Sequence, residues 1–239
     1  AERQGEWMAA GQIYEQILQK DPGNTSVMVS MAECYRRVGD YDRAVALFNA
    51  ALEKEPANLN AKEGKALSMM SKGDFDTPAL LLEDVMKVDN RRWKTLNALG
   101  ILFTTRGMQP EAQQYFKESL KFSPGNTSVL NNLGLSYALN RDYPTAADTL
   151  LQAGALTTAG GGDRKRIDLN LALVYAVSGR LDEARLVAEN YYSGAELNNN
   201  LGFYAHLAKD NQLARDYLNM ALTQSKTFYE KAWRNLQDV

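Results

Sequence analysis

Apolar residues along the chain recur three and four positions apart, as in Leu96, Leu99, Gly100 and Phe103, which is the spacing of one face of an α-helix. No stretch alternates with the period of two that a half-buried strand requires. Inside the helical stretches a small residue returns at Ala32, Ala66, Gly100, Gly134, Ala172 and Gly202, with gaps of 34, 34, 34, 38 and 30. Three positions later stands an aromatic residue or Met (Tyr35, Met69, Phe103, Tyr137, Tyr175), and Ala205 breaks that series. Twelve positions after the small residue comes a second one, at Ala44, Ala112, Ala146, Ala184 and Ala214, with Pro78 the exception and Ala10 an earlier member.

A fixed period of this length is the mark of a stacked repeat. The segment Pro22-Gly23-Asn24-Thr25-Ser26-Val27 returns 102 residues later, three periods of 34, at Pro124 to Val129. Each unit reads as two amphipathic helices divided by a turn, written Gly39-Asp40-Tyr41, Gly73-Asp74-Phe75 and Gly179-Arg180-Leu181. Pro22, Pro56 and Pro124 end second helices, and Asn24 and Asn126 are placed to cap the helices that follow. The periodic small residues have a physical reason: where two helices cross closely, a large side chain would push their axes apart. One such pair cannot bury its own apolar faces, so neighbours must stack into a nearly one-dimensional array.

These residues resemble the tetratricopeptide repeat. The best copies are Met31-Ala32, Tyr35, Gly39, Ala44, Phe48, Ala51, Pro56 and Leu99-Gly100, Phe103, Gly107, Ala112, Phe116, Ser119, Pro124. The resemblance implies an all-α, right-handed superhelix of antiparallel helix pairs over 1–239. It has an incomplete first repeat at 1–23, repeats at about 24–57, 58–91, 92–125, 126–163, 164–194 and 195–226, and a capping helix at 227–237. Lys65, Met69, Pro78 and Asn90 depart from the signature and predict that the second helix of their unit starts late. The four extra residues of the fifth unit are assigned to the Gly160-Gly161-Gly162 run. In the capping helix, Phe228, Ala232 and Leu236 form the expected inward stripe. Trp7, Ala10, Tyr14, Ile17 and Pro22 read as a second helix, whose partner is expected upstream of Ala1.

The run from Asn198 to Phe203, with Ala214 to Leu222 and Tyr229 to Leu236, is similar to the TadD-type lipoproteins of the Flp/Tad pilus machinery. That resemblance implies an exported pilotin at the periplasmic face of the outer membrane, held by a lipid anchor upstream of the chain, with the secretin or another pilus component as protein partner. The alternative is a docking or regulatory domain of a larger cytoplasmic protein or enzyme complex.

In the tetratricopeptide fold one stripe of each first helix faces an inner wall. Here that stripe reads Glu63, Leu67, Met70; Asn97, Ile101, Thr104; Asn131, Leu135, Ala138; Leu169, Leu173, Ala176; and Asn199, Phe203, His206. Its middle member is apolar in all five units. Leu67, Met70, Asn97, Ile101, Asn131, Leu135, Leu169, Leu173, Asn199 and Phe203 are therefore the expected groove for an amphipathic helix or extended apolar segment, with the asparagines placed to bond a bound backbone. The competing reading packs the same residues sideways into the core. Grip on a terminal carboxylate, another mode of the family, fits poorly because the middle positions are apolar.

Composition narrows the function. Acidic and basic residues nearly cancel, 29 against 27, so no broad field draws nucleic acid or an anionic membrane. The basic cluster Lys62, Lys65, Arg91, Arg92 and Lys94 reads as a solvated face. Cys34 is the only cysteine and His206 the only histidine, which leaves little material for a metal site or a catalytic triad, and no cofactor is expected. The Gly160 to Lys165 run lacks the strand and the Gly-Lys-Ser/Thr of a phosphate loop. Nothing in the chain points to an enzyme.

Overall fold

The computed structural model describes residues 2–158 and 161–239, and among them every regular element is an α-helix. Ala1 and Gly160, which entered the expectations above, lie outside the described residues. The chain divides into two compact units, at residues 2–122 and 123–239.

The first unit holds α1 (Glu2–Lys20), α2 (Thr25–Val38), α3 (Tyr41–Lys54), α4 (Leu59–Ser71), α5 (Thr77–Val88), α6 (Trp93–Thr105) and α7 (Gln109–Phe122). Short turns pair α2 with α3, α4 with α5 and α6 with α7. The pairing rule is a small residue facing a large one sixteen positions on: Ala32 with Phe48, Ala66 with Leu82, Gly100 with Phe116. All three large side chains are at most 1% exposed. A Cβ at Gly100 would stand 2.5 Å from Cε1 of Phe116, and one at Gly64 only 2.2 Å from Cζ of Phe48. The Phe48 ring thus packs with Ala32 of its own pair and presses on the next pair at Gly64, tying successive repeats. α5 starts at Thr77, four residues after Gly73, whereas α3 starts two after Gly39. The late start has a local cause: Pro78 occupies the first turn, and the Asp74 carboxylate accepts from the Asp76 and Thr77 amides, each at 3.2 Å.

The second unit holds α8 (Thr127–Leu139), α9 (Tyr143–Ala155), α10 (Gly162–Val177), α11 (Leu181–Ala188), α12 (Gly194–Leu207), α13 (Asn211–Gln224) and α14 (Glu230–Gln237). The same rule holds at two of its three pairs, where Gly134 meets Leu150 and Gly202 meets Leu218; the third departs from it, with Ala172 and Ala188 in one core cluster. The extra residues of the fifth repeat go mainly into helix rather than into the glycine run: α10 starts ten residues before Ala172, while α8 starts seven before Gly134. The reason is a polar clasp. Arg164 Nη1 donates to the Gly154 carbonyl at 2.9 Å and Nε to Asp168 at 2.8 Å, and the Tyr191 hydroxyl donates to Asp168 at 2.5 Å. These bonds hold the added turn against α9 and the end of α11.

Asn24, Asn58 and Asn126 each cap a first helix, accepting from Val27, Ala61 and Val129 amides at 3.1, 3.0 and 3.3 Å. At the turn inside each pair the backbone enters the left-handed region. Glycine takes it in all three pairs of the first unit (Gly39, Gly73, Gly107) and at Gly179 in the second, where Arg141 (φ 63°) and Lys209 (φ 64°) take it in the other two. α14 closes the second unit by seating the fully buried Ala232 against Leu218 and Ala221. The inward stripe expected from Phe228 is corrected here: Phe228 precedes the helix and is 73% exposed, and Tyr229 packs with Ala232 and Leu236 instead.

Candidate partner-binding surface

The helices with the predicted stripe are α4 and α6 in the first unit and α8, α10 and α12 in the second. Their middle residues are the open ones. Leu67, Ile101, Leu135 and Leu173 are half-buried, and Phe203 is exposed. Three of them are also anchored at the base: Leu67 and Ile101 touch the core around Leu82 and Leu99, and Leu173 touches the core around Leu201 and Tyr204. Half-open apolar side chains with buried roots form a stiff surface that loses little freedom on contact.

The flanking residues behave differently. Met70 is 8% exposed and belongs to the core with Ala66 and Leu82, so it is not groove-facing. Asn131 and Asn199 are each 1% exposed, and they join helices rather than offering themselves outward. Asn170 of α10 donates to Asn131 of α8 at 2.7 Å, and Asn235 of α14 donates to Asn199 of α12 at 2.9 Å. The seam forms because a polar group desolvated between packed helices costs free energy unless a neighbour bonds it. Asn97 and Leu169 remain half-buried.

The structure adds residues that the sequence reading passed over. One helical turn beyond the middle row of the second unit stand Leu139, 61% exposed, and the half-buried Val177 and Leu207. Their spacing of four from Leu135, Leu173 and Phe203 was the available signal. On the other side lie Asn132, Asn170 and Asn200, one position past the stripe residues Asn131, Leu169 and Asn199 and partly accessible. Asn200 donates to its own helix at the Glu196 carbonyl, 2.8 Å.

The matching region of the first unit is charged. Glu63, 6% exposed, receives Arg92 Nε at 3.2 Å and Nη2 at 2.9 Å, and the Thr95 hydroxyl at 2.6 Å. Arg92 is thereby removed from the solvated basic face expected of it; the Glu63 bond raises its pKa against the opposing effect of burial. Glu33 takes bonds from Arg36 and Arg37. Burial alone would lift the Glu33 pKa, but the two guanidiniums outweigh it and hold it below the ordinary range. Glu33, Glu63 and Arg92, with Trp7, Tyr14, Leu67 and Lys94, line a cavity of about 340 Å³. Among the described residues no group of three or more His, Cys, Asp or Glu is placed to hold a metal, and no helix is long and apolar enough to cross a membrane.

This arrangement, small-on-large crossings in stacked helix pairs, is that of the tetratricopeptide-repeat solenoids. A family model described as tetratricopeptide repeat matches residues 1–67. Solved structures extend the fold over the rest. The crystal structure of the APC/C hetero-tetramer Cut9-Hcn1 aligns with a TM-score of 0.77 and 19% identity over 98% of this chain, which spans 46% of the chain it matches. PilW, titled a widely conserved type IV pilus biogenesis factor, aligns with a TM-score of 0.70 and 19% identity over 90% of this chain and 97% of its own. PilF of Pseudomonas aeruginosa aligns with a TM-score of 0.65 and 17% identity over the same shares. At these identities the likeness is one of fold. No curated protein shows significant sequence similarity to the chain.

Proposed function

We propose that the chain is a protein-interaction scaffold that holds an apolar segment of a partner protein along α8, α10 and α12. The observation that carries this reading is the apolar row of the half-buried Leu135 and Leu173 and the exposed Phe203, with Leu173 packed on the core, extended by Leu139, Val177 and Leu207. Burying such a row against an amphipathic or extended segment supplies the free energy of association. The partly accessible Asn170 and Asn200 stand beside it to bond the segment's backbone.

The finer reading is that of a pilotin-like assembly factor for a Tad/Flp pilus secretin, at the periplasmic face of the outer membrane through a lipid anchor upstream. Its support is the similarity to TadD-type proteins in the last helix pair and α14, and the fold shared over nearly full length with PilW and PilF. A role as docking part of a larger assembly subunit draws on one different observation, the match to half of the longer chain in the Cut9-Hcn1 structure.

The test is capture of secretin carboxy-terminal segments by the full chain, with Leu135→Asp and Leu173→Asp as controls. Both variants are expected to keep wild-type helicity by circular dichroism and lose at least about ten-fold in affinity, the scale of one lost apolar anchor. Collapse of helicity in both would return these residues to the core and end the groove reading. Absence of capture by the wild-type chain at high concentration would remove the secretin as partner.

A further inference from the structure

α1 packs one side on the first unit and leaves another open. A Cβ at Gly11 would stand 3.9 Å from Cβ of the buried Cys34, and Leu18 joins the core around Phe48. Roughly a third of a turn away around the helix runs a stripe of Glu6, Ala9, Ile13, Ile17 and Lys20, at spacings of three and four. Every member is exposed, Ile13 at 59% and Ile17 at 39%. Thirty-four positions on, in α3, the counterparts Leu47 and Ala51 are drawn into the core that α3 shares with α2 and α4. A single open isoleucine is ordinary, but two on one stripe of one helix form a patch that favours contact.

We propose that this stripe is a self-association surface, on which a second copy of the chain lays its own α1 antiparallel about a two-fold axis at Ile13. It is independent of the partner row on α8, α10 and α12. The stripe is complementary to itself in that direction alone. With Ile13 on the axis, residues equally far from it on either side come opposite one another. Glu6 and Lys20, each seven positions away, then meet across the interface, twice by symmetry. Ala9 and Ile17, each four positions away, meet as well. That contact sets a small residue against a large one, the rule that Gly100 and Phe116 follow inside the unit. Ile13 meets its own copy. A parallel pair would set Glu6 on Glu6 and Lys20 on Lys20, and like charges repel that arrangement. Charge, size and centre thus agree on one occupant, a second copy of this chain.

The experiment is sedimentation equilibrium of the full chain across a wide range of concentration. The wild-type chain is expected to move from monomer to dimer mass as concentration rises. Glu6→Lys and Lys20→Glu are each expected to weaken the dimer at least about ten-fold, because each sets like charges opposite one another twice. Mixed in equal amounts, the two variants are expected to recover wild-type association, since each supplies the charge that the other lost. Both positions are exposed, so neither change disturbs the core. Ile13→Asp is expected to stay monomeric with wild-type helicity. A wild-type chain that remains monomeric throughout, charge variants that associate as tightly as the wild type, or a mixture no tighter than either variant alone would overturn the proposal. Each of these results would leave the stripe to an apolar segment of another origin.

Discussion

The two units follow one repeat rule but use different side chains to meet it, and their first helices end with opposite surfaces. In the first unit phenylalanines fill two of the three crossings, and the stripe beside them is knitted by Glu33, Glu63, Arg36 and Arg92. In the second the crossings are filled by Leu150, Leu218 and Ala188, the seams are asparagine pairs, and the stripe is apolar and half open. A buried carboxylate must be met by cations and hydroxyls of its own fold, which uses up that surface. A neutral amide pair needs no counter-charge and leaves its neighbours available, even where, as at Asn199, the side-chain nitrogen stays buried without a partner.

Four perturbations sharpen this contrast, ranked by expected size. Phe116→Ala should cost about 3–5 kcal/mol and Leu150→Ala about 2–5 kcal/mol in denaturant unfolding, because each opens a cavity opposite a glycine that cannot fill it. Equal small losses would show that the crossings close up and that the small-on-large rule is not what fixes the stack. Glu63→Ala should cost about 1–3 kcal/mol by stranding Arg92 and the buried Thr95, while Asn200→Ala in the second unit should change stability by under about 0.5 kcal/mol. Replacing the strained turn residues tests the units in the opposite direction. Arg141→Gly should stabilise by about 0.5–1 kcal/mol, since it gives the α8–α9 turn the residue that Gly39, Gly73, Gly107 and Gly179 supply at the corresponding turns, and Gly107→Ala should destabilise.

The smallest effect is in pH dependence and differs in sign between the units. Glu33 has its pKa depressed in the folded state, so its contribution is present above the ordinary glutamate range and fades as pH falls through the folded value. Tyr204, pushed up to about 12 by burial, acts at the alkaline end: the unfolded chain ionises first, and stability falls as pH rises from 10 toward 12. Unfolding curves across pH should show Glu33→Gln flattening the acid limb and Tyr204→Phe the alkaline limb.

Local chemistry carries its meaning in the sequence. The 34-residue period, the helix pairs, the asparagine caps, the glycine turns and the late start at Pro78 follow from residues within one repeat, because each is settled by backbone conformation or by neighbours a few positions away. The accessibility of Leu67 and Ile101 in the first unit and of Leu135, Leu173 and Phe203 in the second follows for the same reason, each standing on one stripe of a helix of known pitch. The contacts between repeats were not. Whether Asn131 faces a ligand or Asn170, whether Arg92 meets water or Glu63, whether four extra residues become loop or an added turn held by Arg164, and whether Phe228 or Tyr229 turns inward all depend on contacts with a neighbouring helix, up to 39 positions away in the chain. Desolvation decides those pairings, and it acts only once the helices have stacked.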